Sequence, residues 1–185
     1  MGRAERPLLF ETPAGFDEPL EMLLGCHRRI EKQLATLQRL RVHLSQRGVD
    51  AEASQAAQAI LDYFVRAAPN HHHDEEIDLF PLIEARITDT GEAARFTAFR
   101  ESLLKDHREL EAAWARLRRP LEGIADGLMR QLPEAEVQAF VKGYARHILT
   151  EEAALEDFFS RWLDDEDRAR LGRAMAARRK ISPAP

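Results

Sequence analysis

Cysteine is almost absent. Cys26 is the single one in 185 residues, which excludes an intrachain disulfide and a cysteine-based zinc ribbon. Glycine and proline number nine each and fall mostly at the ends of long segments. β-branched residues are few, and no run alternates with the period of a strand. No stretch approaches the ~18 unbroken apolar residues of a membrane span. The charged start, Met1 to Arg6, lacks the apolar segment of a secretory signal. Positive charge is not in excess either: the net charge is −5 and the pI about 5.8, which offers no field to nucleic acid. The expectation is a soluble cytoplasmic protein with neither membrane nor nucleic acid as partner.

The chain is 44% hydrophobic and 32% charged, enough apolar material for a core. It is rich in Ala, Leu, Arg and Glu, all good helix formers, and reads as all-α. Residues 1–16 form an extended lead-in broken by Pro7, Pro13 and Gly15. A first helix is expected from Asp17 or Pro19 to about Ser45. A second runs from Asp50 to about Thr88, with Pro69 expected to kink it. A third runs from about Glu92 to Met129, bent or split at Pro120. A fourth follows Pro133 and reaches Trp162. These long helices and short turns predict an up-down-up-down four-helix bundle over residues 17–162. A short fifth helix and tail occupy residues 163–185, and the basic Arg178-Arg179-Lys180 reads as a solvated helix end.

Four of the seven histidines fall on the apolar stripes, one per long helix. His27 lies between Leu23 and Ile30, His71 between Phe64 and Leu79, His107 between Leu103 and Leu110, and His147 between Tyr144 and Leu155. At ~1.5 Å per residue, His27, Glu75, His107 and Glu151 stand roughly 15–22 Å from the ends of their helices, compatible with one layer. Glu75 and Glu151 follow His71 and His147 by four residues, so each pair shares a helix face. A carboxylate facing a core is costly unless it meets a cation. Four imidazoles and two carboxylates suit iron above all, with manganese or zinc also served by these donors. Two irons with a bridging oxo or hydroxo group would keep about one open position each at octahedral geometry, for dioxygen, nitric oxide or peroxide. An alternative pair on the second helix is His72 with Glu76. His73 faces solvent or orients a ligand from outside.

This ordered set resembles the hemerythrin-like, HHE cation-binding proteins. The resemblance rests on His27 in Cys-His-Arg-Arg-Ile and on His71-x-x-x-Glu75-Glu76 followed by Leu79-Phe80-Pro81. It rests equally on His107 in Asp-His-Arg-Glu-Leu and on His147-x-x-x-Glu151-Glu152. It covers about Asp17 to Trp162. It implies a four-helix bundle with a non-haem di-iron centre, His27, His71, His107 and His147 as terminal ligands, and Glu75 and Glu151 bridging. The oxygen carriers of the family have two histidines four apart on the third helix and an aspartate five residues after the last histidine. Here Leu103 and His107 stand on the third helix, and the fourth carries glutamate at i+4. The four-His, two-Glu set is closer to di-iron proteins linked to repair of damaged iron–sulfur clusters, though their N-terminal cysteine has no counterpart here.

Three functions are compatible with these residues. One is a di-iron protein that binds or reacts with O2, NO or peroxide in a sensing, scavenging or iron-handling role. Another is a repair or iron-donor factor for iron–sulfur centres. The third is a helical interaction module with a structural metal. Glu31 and Glu111, each four residues after a site histidine, read as solvated. Cys26 reads as a small buried hydrophobe, His43 as a surface residue near a helix C-terminus, and Tyr63, Tyr144 and Trp114 as core.

Overall fold

Aspartate starts three of the helices. The carboxylates of Asp50, Asp89 and Asp164 accept the backbone N–H groups of Ala53, Glu92 and Asp167 at 2.8–2.9 Å, satisfying donors that a helix start leaves orphaned. The computed structural model describes residues 15–179; most of the expected lead-in, and Lys180 of the basic tail, lie outside them. Among the described residues there are helices and turns and no strand. The four long helices are α1 (Pro19–Arg47), α2 (Ala51–His73), α4 (Thr90–Ala125) and α5 (Glu134–Trp162). α2 continues through a π-helical turn, Asp74–Leu79, into the short α3 (Phe80–Arg86), and α6 (Asp165–Arg178) ends the described chain.

Pro69 does not break α2. The disturbance expected there falls instead at the π turn, just ahead of Pro81. Proline has no N–H to offer the Ile77 carbonyl four residues back, so the register can widen without losing that bond. The wider turn also keeps a stripe spaced by fours, His71, Glu75, Leu79 and Ile83, buried on one side, where a regular α-helix would rotate it away. π turns of this kind occur frequently at functional sites. Pro120 likewise lies inside an unbroken α4. The carbonyl that it cannot serve belongs to the exposed Arg116. α4 ends earlier than the expected Met129, because Gly127 turns to a positive φ of 73°, a conformation that glycine adopts without penalty.

Each long helix packs against two others: α1 on α2 and α5, and α4 on α2 and α5. Their stripes form two apolar cores. One holds Ile30, Phe64, Leu110, Leu117 and Phe140. The other holds Leu23, Leu79, Leu103, Leu155 and Phe158. On every long helix the residue expected to bind metal lies between the two.

α6 packs on the π turn and on α1. Gly172 faces the backbone of Phe16 so closely that a Cβ would stand 1.7 Å from its carbonyl oxygen. The basic end of α6 is not a solvated tail. Arg178 and Arg179 both bind the fully buried Asp74, at 3.0 and 2.6 Å, and Arg178 also pairs with Asp78 and donates to the His73 carbonyl.

Candidate metal centre

α1 brings His27 inward, α2 His71, the π turn Glu75, α4 His107, and α5 His147 and Glu151. All six are at most 4% exposed. Glu75 stands between two histidines, its Oε1 3.0 Å from His71 Nε2 and its Oε2 3.3 Å from His107 Nε2. Glu151 mirrors it, with Oε2 3.2 Å from His27 Nε2 and 3.3 Å from His147 Nε2. One oxygen or nitrogen from each of His27, His71, Glu75 and Glu151 falls within a 4.8 Å group, and His72, His107 and His147 form a second such group.

His72 is the member that sequence reasoning left outside the favoured set. It offers a nitrogen to the second group, while its ring stacks on that of His107 at 3.9 Å. Its signal was the His-His-His run, whose first member is buried, middle member half-buried and last member exposed. The alternative pairing of His72 with Glu76 does not form. Glu76 binds His107 Nδ1 instead.

Two carboxylates orient the imidazoles from outside. Glu152 takes His27 Nδ1 at 2.9 Å, and Glu76 takes His107 Nδ1. With the proton held on Nδ1, each Nε2 presents its lone pair to the centre. The signal was the doublet Glu75-Glu76 and Glu151-Glu152, in which the first acid faces the centre and the second reaches the histidine of another helix.

The site's polar atoms are expensive as they stand. Nε2 of His27, His71, His72, His107 and His147, and both oxygens of Glu75 and of Glu151, are buried without a hydrogen-bond partner. The 3.0–3.3 Å approaches across the centre lack hydrogen-bond geometry. Buried polar groups are normally satisfied, and each orphan costs about 1–3 kcal/mol. Nitrogen and carboxylate donors converging without hydrogen bonds between them are what a borderline transition-metal ion requires. The residues present therefore fit a metal.

The charge balance of the metal-free chain agrees. Burial, and then the charge of Glu151, hold the Glu75 carboxyl well above the ordinary carboxylate range. Burial also opposes ionisation of Glu151, but contacts with His147 and His27 outweigh it and keep its pKa well below that range. Burial would lower the pKa of His27, yet its contacts with Glu151 and that residue's charge raise it to about 9. His71 and His72 are held neutral by burial. A cation at the centre would replace the proton on His27 and let Glu75 ionise beside the already ionised Glu151.

A sequence model of the hemerythrin HHE cation-binding domain matches residues 18–159. The chain belongs to this family. The chain is also similar to an uncharacterized protein of Haemophilus influenzae, 31% identical over 168 residues, which cover 91% of this chain and 94% of that protein.

The remaining candidates lie apart from the hemerythrin-type cluster. Glu31 is exposed on α1, and Glu111 is exposed on α4. Cys26 is buried, its sulfur accepts from Arg29 at 3.0 Å, and burial pushes its thiol pKa up. His43 pairs at the surface with Asp50 at 2.9 Å. Tyr144 is buried with its ring 6.3 Å from that of His147. No helix among the described residues is long and apolar enough to cross a membrane.

Proposed function

We propose that this hemerythrin HHE protein is a non-haem di-iron protein, built as an up-down-up-down four-helix bundle, that binds or reacts with O2, NO or peroxide in sensing, scavenging or iron handling. One observation carries the reading: four helices bring nitrogen and carboxylate donors, buried and without hydrogen-bond partners, to one layer between two apolar cores. Manganese and zinc suit the same donors, so the choice of iron rests on the family and on the mixture of imidazole and carboxylate.

In this reading His27, His71, His107 and His147 would hold the ions, with His72 beside them, and Glu75 and Glu151 would be shared, since each carboxylate approaches two histidines from different helices. Glu152 and Glu76 fix the tautomers of His27 and His107. A pair of iron ions supplies two one-electron redox equivalents and a coordination position for the small ligand. The apolar layers above and below exclude bulk water and strengthen every charge interaction between them.

The test is metal per chain after anaerobic loading with ferrous iron and desalting. Two irons are expected. Retention of two irons with an unchanged absorption spectrum in Glu75→Ala and Glu151→Ala would overturn the bridging assignment, and no bound iron would overturn the di-iron reading.

A further inference from the structure

α6 contributes no donor to either group at the centre, yet its C-terminal end holds the turn that carries one. The π turn places Asp74 and Glu75 side by side, and neither has exposed surface. Glu75 reaches into the bundle, to His71 and His107. Asp74 reaches α6 instead, where Arg178 stands at 3.0 Å and Arg179 at 2.6 Å. Arg178 also donates to the His73 carbonyl at 3.3 Å and pairs with Asp78. The helix end therefore grips the segment at residues 73, 74 and 78, on both sides of Glu75. Arg179 also lies beside the Cys26 thiol, one residue before His27.

The gripping helix is itself fixed. Leu171 and Met175 are buried in the second core, Arg86 of α3 pairs with Asp167 at 2.8 Å, and Gly172 admits the backbone of Phe16. A metal ion requires its ligands within about 0.5 Å of their places, and groups that orient ligands from outside are worth about 10–100-fold in affinity. A π turn is an uncommon conformation, and here two guanidinium groups clamp it through a charged side chain and a backbone carbonyl.

We propose that Arg178 and Arg179 are positioning residues for the metal centre: by clamping the π turn they set Glu75, so that docking of α6 and binding of metal strengthen each other. The proposal rests on the reading of Glu75 as a metal ligand given above. Coupling of this kind is reciprocal, so it is measurable from either end.

From the metal end, zinc affinity is measured by competition with a chelator, at a temperature where every metal-free chain is folded. The full chain is compared with the double variant Arg178→Ala/Arg179→Ala, with Arg179→Lys, and with Leu117→Ala. Leu117 is buried in the first core, which α6 does not enter, so its truncation lowers stability without touching the clamp. The double variant is expected to bind zinc at least tenfold more weakly, Leu117→Ala within twofold of the unchanged chain, and Arg179→Lys within threefold. From the other end, zinc is expected to slow amide exchange in residues 166–178 of the unchanged chain at least tenfold, beyond any change in residues 40–47 at the far end of α1. Zinc affinity in the double variant within twofold of the unchanged chain, or a loss no larger than that of Leu117→Ala, would overturn the proposal. Exchange in α6 that zinc does not slow would overturn it too, and that measurement decides the matter even where the double variant fails to fold. An unchanged chain that takes up neither zinc nor iron overturns the metal centre and this proposal with it; one that takes up zinc, with equal affinity in the double variant, overturns the clamp alone.

Discussion

Replacing Arg179 with alanine should unfold this protein at a lower temperature and disturb the metal layer from a distance. Arg179 binds Asp74 at 2.6 Å, and Asp74 has no exposed surface. Burial raises the Asp74 pKa, and Arg179 is the first partner that opposes the shift. Stripping one partner from a buried pair costs about 3–5 kcal/mol, because it leaves an uncompensated charge. Arg178 stays behind at 3.0 Å, which reduces the expected loss to about 2–3 kcal/mol. For a chain of this size each kcal/mol moves the melting temperature by about 2–4 °C, so a fall of roughly 4–12 °C is expected. The assay is thermal unfolding followed by circular dichroism at 222 nm, metal-free and zinc-loaded, with Asp74→Asn and the double variant completing a cycle. The stabilisation conferred by zinc should also shrink, because Asp74 adjoins Glu75 in the π turn. A loss below about 0.5 kcal/mol, the level of a surface ion pair, would refute the reasoning and show that water already reaches Asp74.

Other outcomes follow from the same charges. Glu75→Gln should abolish binding at one metal position and yet raise the melting temperature of the metal-free chain near pH 7, because it removes a carboxylate that burial and Glu151 already penalise; elemental analysis and calorimetry check the two halves. Glu152→Gln and Glu76→Gln should each weaken metal binding about 10–100-fold while leaving the fold intact, as read by competition with a chelator. The metal-free chain should lose stability as pH rises from 6.5 to about 9. His27 has its folded pKa raised to about 9, so its contribution is full below 6.5 and disappears by that pH. His71 and His72, shifted the other way, act only below about pH 7. Metal loading near pH 8 should therefore release a proton from His27, detectable by calorimetry in buffers of different ionisation enthalpy.

Much of this was legible in the sequence because it is local. The helix start at Asp50 is capping chemistry confined to four residues, and the stripes that carry His27, His107 and His147 follow helical spacing. The part around His71 was harder. The sequence favours His71 with Glu75 over His72 with Glu76, but the π turn at Asp74–Leu79 shifts the register after these histidines, and the structure brings a nitrogen of His72 to the centre as well. The partners of Asp74 lie more than a hundred residues away, beyond any periodicity argument, and Arg178 and Arg179 looked like an ordinary helix end for that reason. The orienting roles of Glu76 and Glu152 depend on which helix stands opposite, which is not a property of a single segment.

The separation of the two apolar cores by a polar layer has a mechanical consequence. The long helices run through both halves, but side chains from one core do not pack against those of the other across the charged plane. The metal-free chain is then two short bundles threaded on common helices with a weak waist. Its halves should open as separate cooperative units, seen as two classes of amide exchange that merge into one when the ions are bound. An ion in this position would act as a rivet between two small folds, and its loss would be sensed along the full length of every long helix.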